Sequence, residues 1–178
     1  MKFFLLLILF FFVVSLQIAV LPRLEILGVV PNFILAATIV WAICEQEKKS
    51  SWLVLIPVFL FDAVAGRPFG LIILSMWLAF GFVRWLSRSL FKQSGFVSVL
   101  VLSVSGVLFY SLVFAGLAKL AEFSGLSSQT LFLADFYSYP NLLVAVLYNG
   151  LFCLLVFWPF KKLQRYFDKF SVQLQPIK

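Results

Sequence analysis

Histidine is absent from the 178-residue chain, charged residues make up 12% of it, and aspartate and glutamate together number seven. Without histidine there is no Ser-His or Cys-His dyad and no ordinary zinc site. No two carboxylates fall at a spacing that would place them together in one apolar run, and no Gly-rich phosphate loop of the P-loop kind is present. Cysteine is nearly missing too. Cys44 and Cys153 lie in apolar runs, lack a C-x-x-C partner and read as small hydrophobes, with no support for a disulfide between them. These gaps argue against an enzyme, a metal site and a cofactor. A soluble domain carries about 25% charged residues, so the shortage of charge excludes one as well.

What the chain has in excess is apolar surface: 63% of its residues are hydrophobic and 23 are phenylalanine. A globule of this length cannot hide so much from water, and a lipid bilayer removes the problem. Intrinsic disorder and a disulfide-stapled secreted fold fall with the same numbers. The net charge of +7 would suit nucleic acid, but the basic residues flank apolar runs, where membrane topology accounts for them. The expected class is an all-α integral membrane protein with no nucleic-acid partner.

Charge-free runs set the number of spans. They cover Phe3 to Pro22, Ile26 to Cys44, Ser50 to Phe61, Pro68 to Val83, Gln93 to Ala118 and Phe136 to Phe160. A spanning helix needs about 20 apolar residues. The first, second, fifth and sixth runs reach that length unaided. The third reaches it only if its helix continues past Asp62 towards Ala65, and the fourth only if Arg84 snorkels to the headgroups. A single domain with six transmembrane helices follows, at about 3–21, 26–44, 51–65, 69–86, 96–118 and 140–160. The first run resembles a signal peptide, but no small-x-small cleavage site follows it, and it reads as a retained helix. With six helices both termini share a side, and that side collects 11 of the 14 basic residues. Only Arg23, Arg67 and Lys119 lie opposite. The positive-inside rule therefore places both termini in the cytoplasm.

Proline, glycine and stray polar residues punctuate the runs. Pro31-Asn32 and Pro140-Asn141 each sit just inside an apolar run, as prolines do in a helix's first turn. A second helix starting at Pro31 would have 14 residues to Cys44 and leave Ile26 to Val30 irregular, which membrane depth tolerates only against protein or a cavity. The densest pattern is Asp62-x-x-x-Gly66-Arg67-Pro68-Phe69-Gly70. A carboxylate inside an apolar run needs a partner, and the C-terminal end of helix three disfavours it further. The free amides around Phe69 to Ile72, at the start of the next helix, can receive it. A tight hairpin locked by Asp62 is the structural reading; a proton or ion site is the alternative, weakened by the lack of a second buried ionisable group for a relay.

Two basic stripes mark the cytoplasmic side. Arg84, Arg88 and Lys92 recur every four residues at the end of helix four. Lys161, Arg165 and Lys169 do the same after Pro159, in an amphipathic tail at about 161–174. Anionic lipid headgroups are the expected contact, with an acidic cytoplasmic partner as the alternative. On the opposite side, the stretch from Lys119 to Tyr139 interleaves aromatic and polar residues. It reads as an interfacial belt or as a docking surface for another protein.

Taken together, the chain resembles the MreD family of bacterial rod-shape-determining membrane proteins. The resemblance rests on the Pro31-Asn32 step, on the Asp62-x-x-x-Gly66-x-Pro68-x-Gly70 hairpin, and less distinctively on Tyr148-Asn149 and Pro159 before the basic tail. The abundance of phenylalanine is a departure, since the family tends to use leucine there. The resemblance implies a non-enzymatic scaffold of cell elongation in the inner membrane. Its implied partners are the single-span protein MreC, the filament protein MreB, RodA and a penicillin-binding transpeptidase, with homo-oligomers left open. It also implies the helical fold shared with S components of energy-coupling-factor vitamin transporters. A vitamin-binding S component is thus the alternative function. The first helix opposes it, since Ala19 is its sole alanine where an S component would present a small-residue face.

Overall fold

The computed structural model describes residues 2–44, 55–65, 68–90, 95–125 and 139–172. Among them are six α-helices and one short 3-10 turn: α1 (Lys2–Ala19), the turn (Leu21–Leu24), α2 (Phe33–Cys44), α3 (Leu55–Val64), α4 (Leu71–Leu90), α5 (Phe96–Phe123) and α6 (Tyr139–Val172). The fold is all-helical. Parts of α4, α5 and α6, namely Leu71–Ser89, Phe96–Phe123 and Leu142–Lys162, are long and apolar enough to cross a bilayer, whereas α2 and α3 are shorter apolar helices.

The core is built around α2, which is buried on nearly every side through Ile34, Leu35, Ala36, Thr38, Ile39, Val40, Ala42 and Ile43. A helix that is apolar all round belongs inside a bundle, and α1, α4, α5 and α6 all pack on this one. The tightest crossing is at Gly106 of α5, where a Cβ would lie 2.6 Å from Val83 Cγ2 and 3.2 Å from Ile39 Cδ1. Omitting that side chain lets α5 close on α2 and α4 together, as small residues do between membrane helices. Phe82 of α4 stacks on Phe109 of α5 with ring centroids 4.2 Å apart. Three buried hydroxyls are accommodated within their own helices: Thr38, Ser75 and Ser111 donate to the carbonyls of Ile34, Leu71 and Val107 one turn earlier.

The outer surface of the bundle is as apolar as its centre. Leu143, Leu147, Leu151 and Leu155 form an exposed i, i+4 stripe on α6, continued by Trp158, and α4 exposes Trp77 and Trp85. A contiguous apolar face of this extent is incompatible with water as the only solvent. This is a membrane protein.

Several boundaries differ from the sequence-based expectation. The second helix does not begin at Ile26 or at Pro31 but at Phe33, and the preceding residues form the 3-10 turn and a tight turn. The first helix stops at Ala19, three residues ahead of Pro22, and the chain passes into the 3-10 turn, where the proline sits in the first turn and its missing N–H is tolerated. The third continues through Asp62, and Ala65 N–H still donates to Phe61 O at 2.9 Å. Pro159 does not separate a tail from the last span: α6 runs through it to Val172, so Lys161, Arg165 and Lys169 continue the same helix.

Candidate functional site

Asp62 sits in the last turn of α3 and is 2% exposed. Its Oδ2 accepts a hydrogen bond from Gly70 N–H at 2.5 Å, and its Oδ1 accepts one from Ile72 N–H at 3.1 Å. The sequence explains why an outside group is needed there. Gly70 is the residue before the first helical position of α4, where Ser, Thr, Asp or Asn would normally cap the free amides. Glycine has no side chain to do so, and its φ of +95° is a conformation that other residues resist. The carboxylate of α3 therefore caps α4 from the neighbouring helix. The positive end of the α4 dipole offsets the unfavourable position of Asp62 at the end of α3. Pro68 O accepts from Leu71 N–H at 3.3 Å and closes the bend, while Phe69 packs edge-on against Phe59 with centroids 5.4 Å apart. Gly66 and Arg67 lie outside the described residues.

A second polar cluster surrounds the start of α2. Asn32 is its N-cap: Oδ1 accepts from Leu35 N–H at 2.9 Å, and its carbonyl accepts from Ala36 N–H at 3.0 Å. Pro31 is buried one position ahead of the cap rather than inside the first turn. Two other helices grip this step. Gln17 of α1 accepts from Phe33 N–H at 2.7 Å through Oε1 and donates to Pro31 O at 3.1 Å through Nε2. Asn149 of α6 accepts from Asn32 N–H at 2.7 Å through Oδ1 and donates to Ala145 O at 2.9 Å through Nδ2. One turn of backbone thus ties α1, α2 and α6 together. Tyr148 adds a further link by donating its hydroxyl to Leu24 O at 2.7 Å.

Sequence reasoning picked out Pro31, Asn32 and Asp62 but assigned no role to Gln17. It noted Asn149 only through its neighbour Tyr148. The available clue was that each is a lone amide within an apolar run, and a buried amide requires partners.

The basic residues occupy the other end of α4 and the middle of α6. Arg84 is half-buried, with its guanidinium carbon 6.0 Å from the centroid of Phe80. Arg88 is exposed in the next turn. Lys161 Nζ lies 5.3 Å from the centroid of Phe157, and the ring of Phe160 beside it meets Trp41 of α2 at 5.4 Å. These contacts let long side chains cover apolar rings while their charges reach outward. Arg165 and Lys169 follow on the continuation of α6, and Lys92 lies outside the described residues. Neither Cys44 nor Cys153 is in a disulfide. Among the described residues no three His, Cys, Asp or Glu side chains come together as a metal site would require.

Compared with known proteins, residues 1–166 match the model of the family described as rod shape-determining protein MreD. No curated protein and no solved structure matches the chain.

Proposed function

The chain belongs to the MreD family of rod shape-determining proteins, and from that premise we propose that it is a non-enzymatic membrane scaffold of the cell-elongation machinery. In this reading it binds an MreC-like single-span protein and, through it, connects MreB filaments to RodA and a penicillin-binding transpeptidase. Both termini face the cytoplasm, which the distribution of lysine and arginine supports, and the basic positions Arg84, Arg88, Lys92, Lys161, Arg165 and Lys169 meet anionic headgroups there. Pro31, Asn32, Asp62, Gly66, Pro68 and Gly70 serve as structural fasteners.

One observation carries the reading beyond family membership. The buried carboxylate and amide side chains inside the apolar bundle are spent on the protein's own backbone. Both oxygens of Asp62 hold amides at the start of the next helix, Gln17 and Asn149 hold the backbone of Pro31 to Phe33, and Asn32 holds the amide of Leu35. A proton relay or a vitamin pocket needs convergent polar groups that remain available to a ligand. The groups at this end are already engaged, which favours a fixed scaffold over the S-component alternative.

The test is co-purification in mild detergent, together with complementation in rod-shaped cells depleted of their own MreD-family protein. Stable recovery of an MreC-like partner and restored rods are expected. Normal shape without the protein, or no partner recovered under conditions that preserve the fold, counts against the proposal.

A further inference from the structure

The connection between α1 and α2 is irregular, exposed and almost wholly apolar. Leu21 and Val29 point into the protein, whereas Leu24, Ile26 and Leu27 point away from it. At its tip, Ile26 and Val29 exchange both backbone hydrogen bonds, at 3.0 and 2.9 Å, around two residues of positive φ, Leu27 at +51° and Gly28 at +80°. That pattern of angles belongs to type I′ turns, whose first central position favours Asn, Asp or Gly. Leucine is conformationally disfavoured there. Yet it is also 75% exposed, so packing within this chain does not explain its choice.

We propose that residues 20–30 form a wedge immersed at a hydrocarbon–headgroup boundary of the bilayer, with Leu24, Ile26 and Leu27 seated among lipid acyl chains. Three observations favour lipid as the occupant. The first is depth. The charged run that starts at Glu45 marks one border of the hydrocarbon, and the 12 residues of α2 extend about 18 Å from it at 1.5 Å per residue. The hydrocarbon core is about 30 Å thick, so apolar thickness remains beyond Phe33, and this connection must occupy it.

The second is polar pairing. Irregular backbone is tolerated inside the hydrocarbon only against protein or a cavity, so a turn that meets lipid lies at the boundary, and there pairing its polar groups still lowers the cost of immersion. Here Ile26 and Val29 pair with each other, Arg23 N–H donates to Val20 O, Leu24 O accepts from Tyr148, and Pro31 O accepts from Gln17. The third is the pattern of charge. Arg23 and Glu25 are exposed in the same stretch, and their long side chains reach headgroups from a boundary position but not from the bilayer centre. This inference needs only the membrane setting and is independent of the proposed partners.

Spin-label accessibility tests it. In a background carrying Cys44→Ala and Cys153→Ala, single variants Leu24→Cys, Ile26→Cys and Leu27→Cys are labelled with a nitroxide. They are then reconstituted into vesicles of phosphatidylethanolamine and phosphatidylglycerol. Collision with molecular oxygen, which concentrates in lipid, is compared with collision with the water-soluble chelate nickel ethylenediaminediacetate. A label at exposed Ser124, which caps the C-terminal end of α5, serves as the aqueous control. The expected result is mobile labels at 24, 26 and 27 with oxygen collisions exceeding those of the chelate, and the reverse ratio at 124. Chelate-dominated collisions at all three wedge positions would place the segment in water and overturn the proposal. Immobile labels shielded from both reagents would mean that protein covers it, whether a second copy or another chain, and would overturn it equally. Should one variant fail to fold, the other two carry the same reading.

Discussion

At the level of single residues, the chain economises on polar groups and uses Asp62, Gln17, Asn32 and Asn149 on backbone amides at the starts of α2 and α4. Asp62 shows the consequence most directly. Asp62→Leu leaves the Gly70 and Ile72 amides without an acceptor, and an unsatisfied buried donor costs about 1–3 kcal/mol. Thermal unfolding in detergent should therefore fall markedly for this variant and by less for Asp62→Asn, which keeps one carbonyl acceptor. Arg67→Gln should have a smaller effect than either. Equal tolerance of all three substitutions would show that the carboxylate is not a fastener. Gln17→Leu and Asn149→Leu each release one side of the same Pro31–Asn32 step. Their combined destabilisation should differ from the sum of the single effects, because residues that share partners couple. Simple additivity in a double-mutant cycle would deny that they act on one step.

Among the elements, glycine placement decides how closely the helices meet and how they turn. Gly106 and Gly70 illustrate two different reasons for the same residue. A methyl group at Gly106 would stand 2.6 Å from Val83 Cγ2, and β-branched valine has little rotamer freedom with which to yield. Gly106→Ala should thus separate α5 from α4 and destabilise the bundle by about 1–3 kcal/mol, the range of core overpacking. At Gly70 nothing lies within 4 Å of the added atom, so Gly70→Ala should suffer only the conformational penalty of positive φ, about 1–2 kcal/mol. Gly116, which is exposed on α5 with open space around it, supplies the control: Gly116→Ala should unfold at or above the temperature of the parent. If Gly106→Ala is as benign as this control, the close crossing of α2, α4 and α5 is not a determinant of stability. Pro159 also belongs at this scale. Inside α6 it removes one backbone hydrogen bond, yet the helix continues through it.

For the molecule as a whole, an apolar exterior encloses an interior whose carboxylate and amide side chains, Asp62, Gln17 and Asn149, are paired with backbone, and most of the basic residues gather toward one end of the topology expected from the sequence. That asymmetry makes a prediction about orientation. A reporter enzyme active only in the cytoplasm should be active when fused after Lys178 and inactive when inserted between Ser124 and Gly125 at the end of α5. The converse pattern would overturn the orientation. Reversing the charges at Lys161, Lys162 and Arg165 should weaken the cytoplasmic activity of the first fusion, since the positive-inside rule counts charges close to span ends.

Hydrophobic run lengths, the scarcity of charge and the Asp62-to-Gly70 pattern already defined an all-helical membrane protein and directed attention to a bend between the third and fourth helices. These features are local: burial in lipid and glycine-proline chemistry act on neighbouring residues, and so leave their mark on neighbouring letters. Other features depended on the tertiary structure. Gln17 and Asn149 are 132 positions apart in the sequence, and only helix packing brings both to the backbone of Pro31 to Phe33. The late start of α2 was only hinted at by the Pro31-Asn32 step, because Ile26 to Val30 is apolar enough for a helix by composition. What decides against a helix there is the closed turn between Ile26 and Val29 and the grip of two distant amides on the step that follows. The turn is local, but a leucine at positive φ does not announce it in the letters; the grip of the amides joins separate elements, and no short window of sequence contains it.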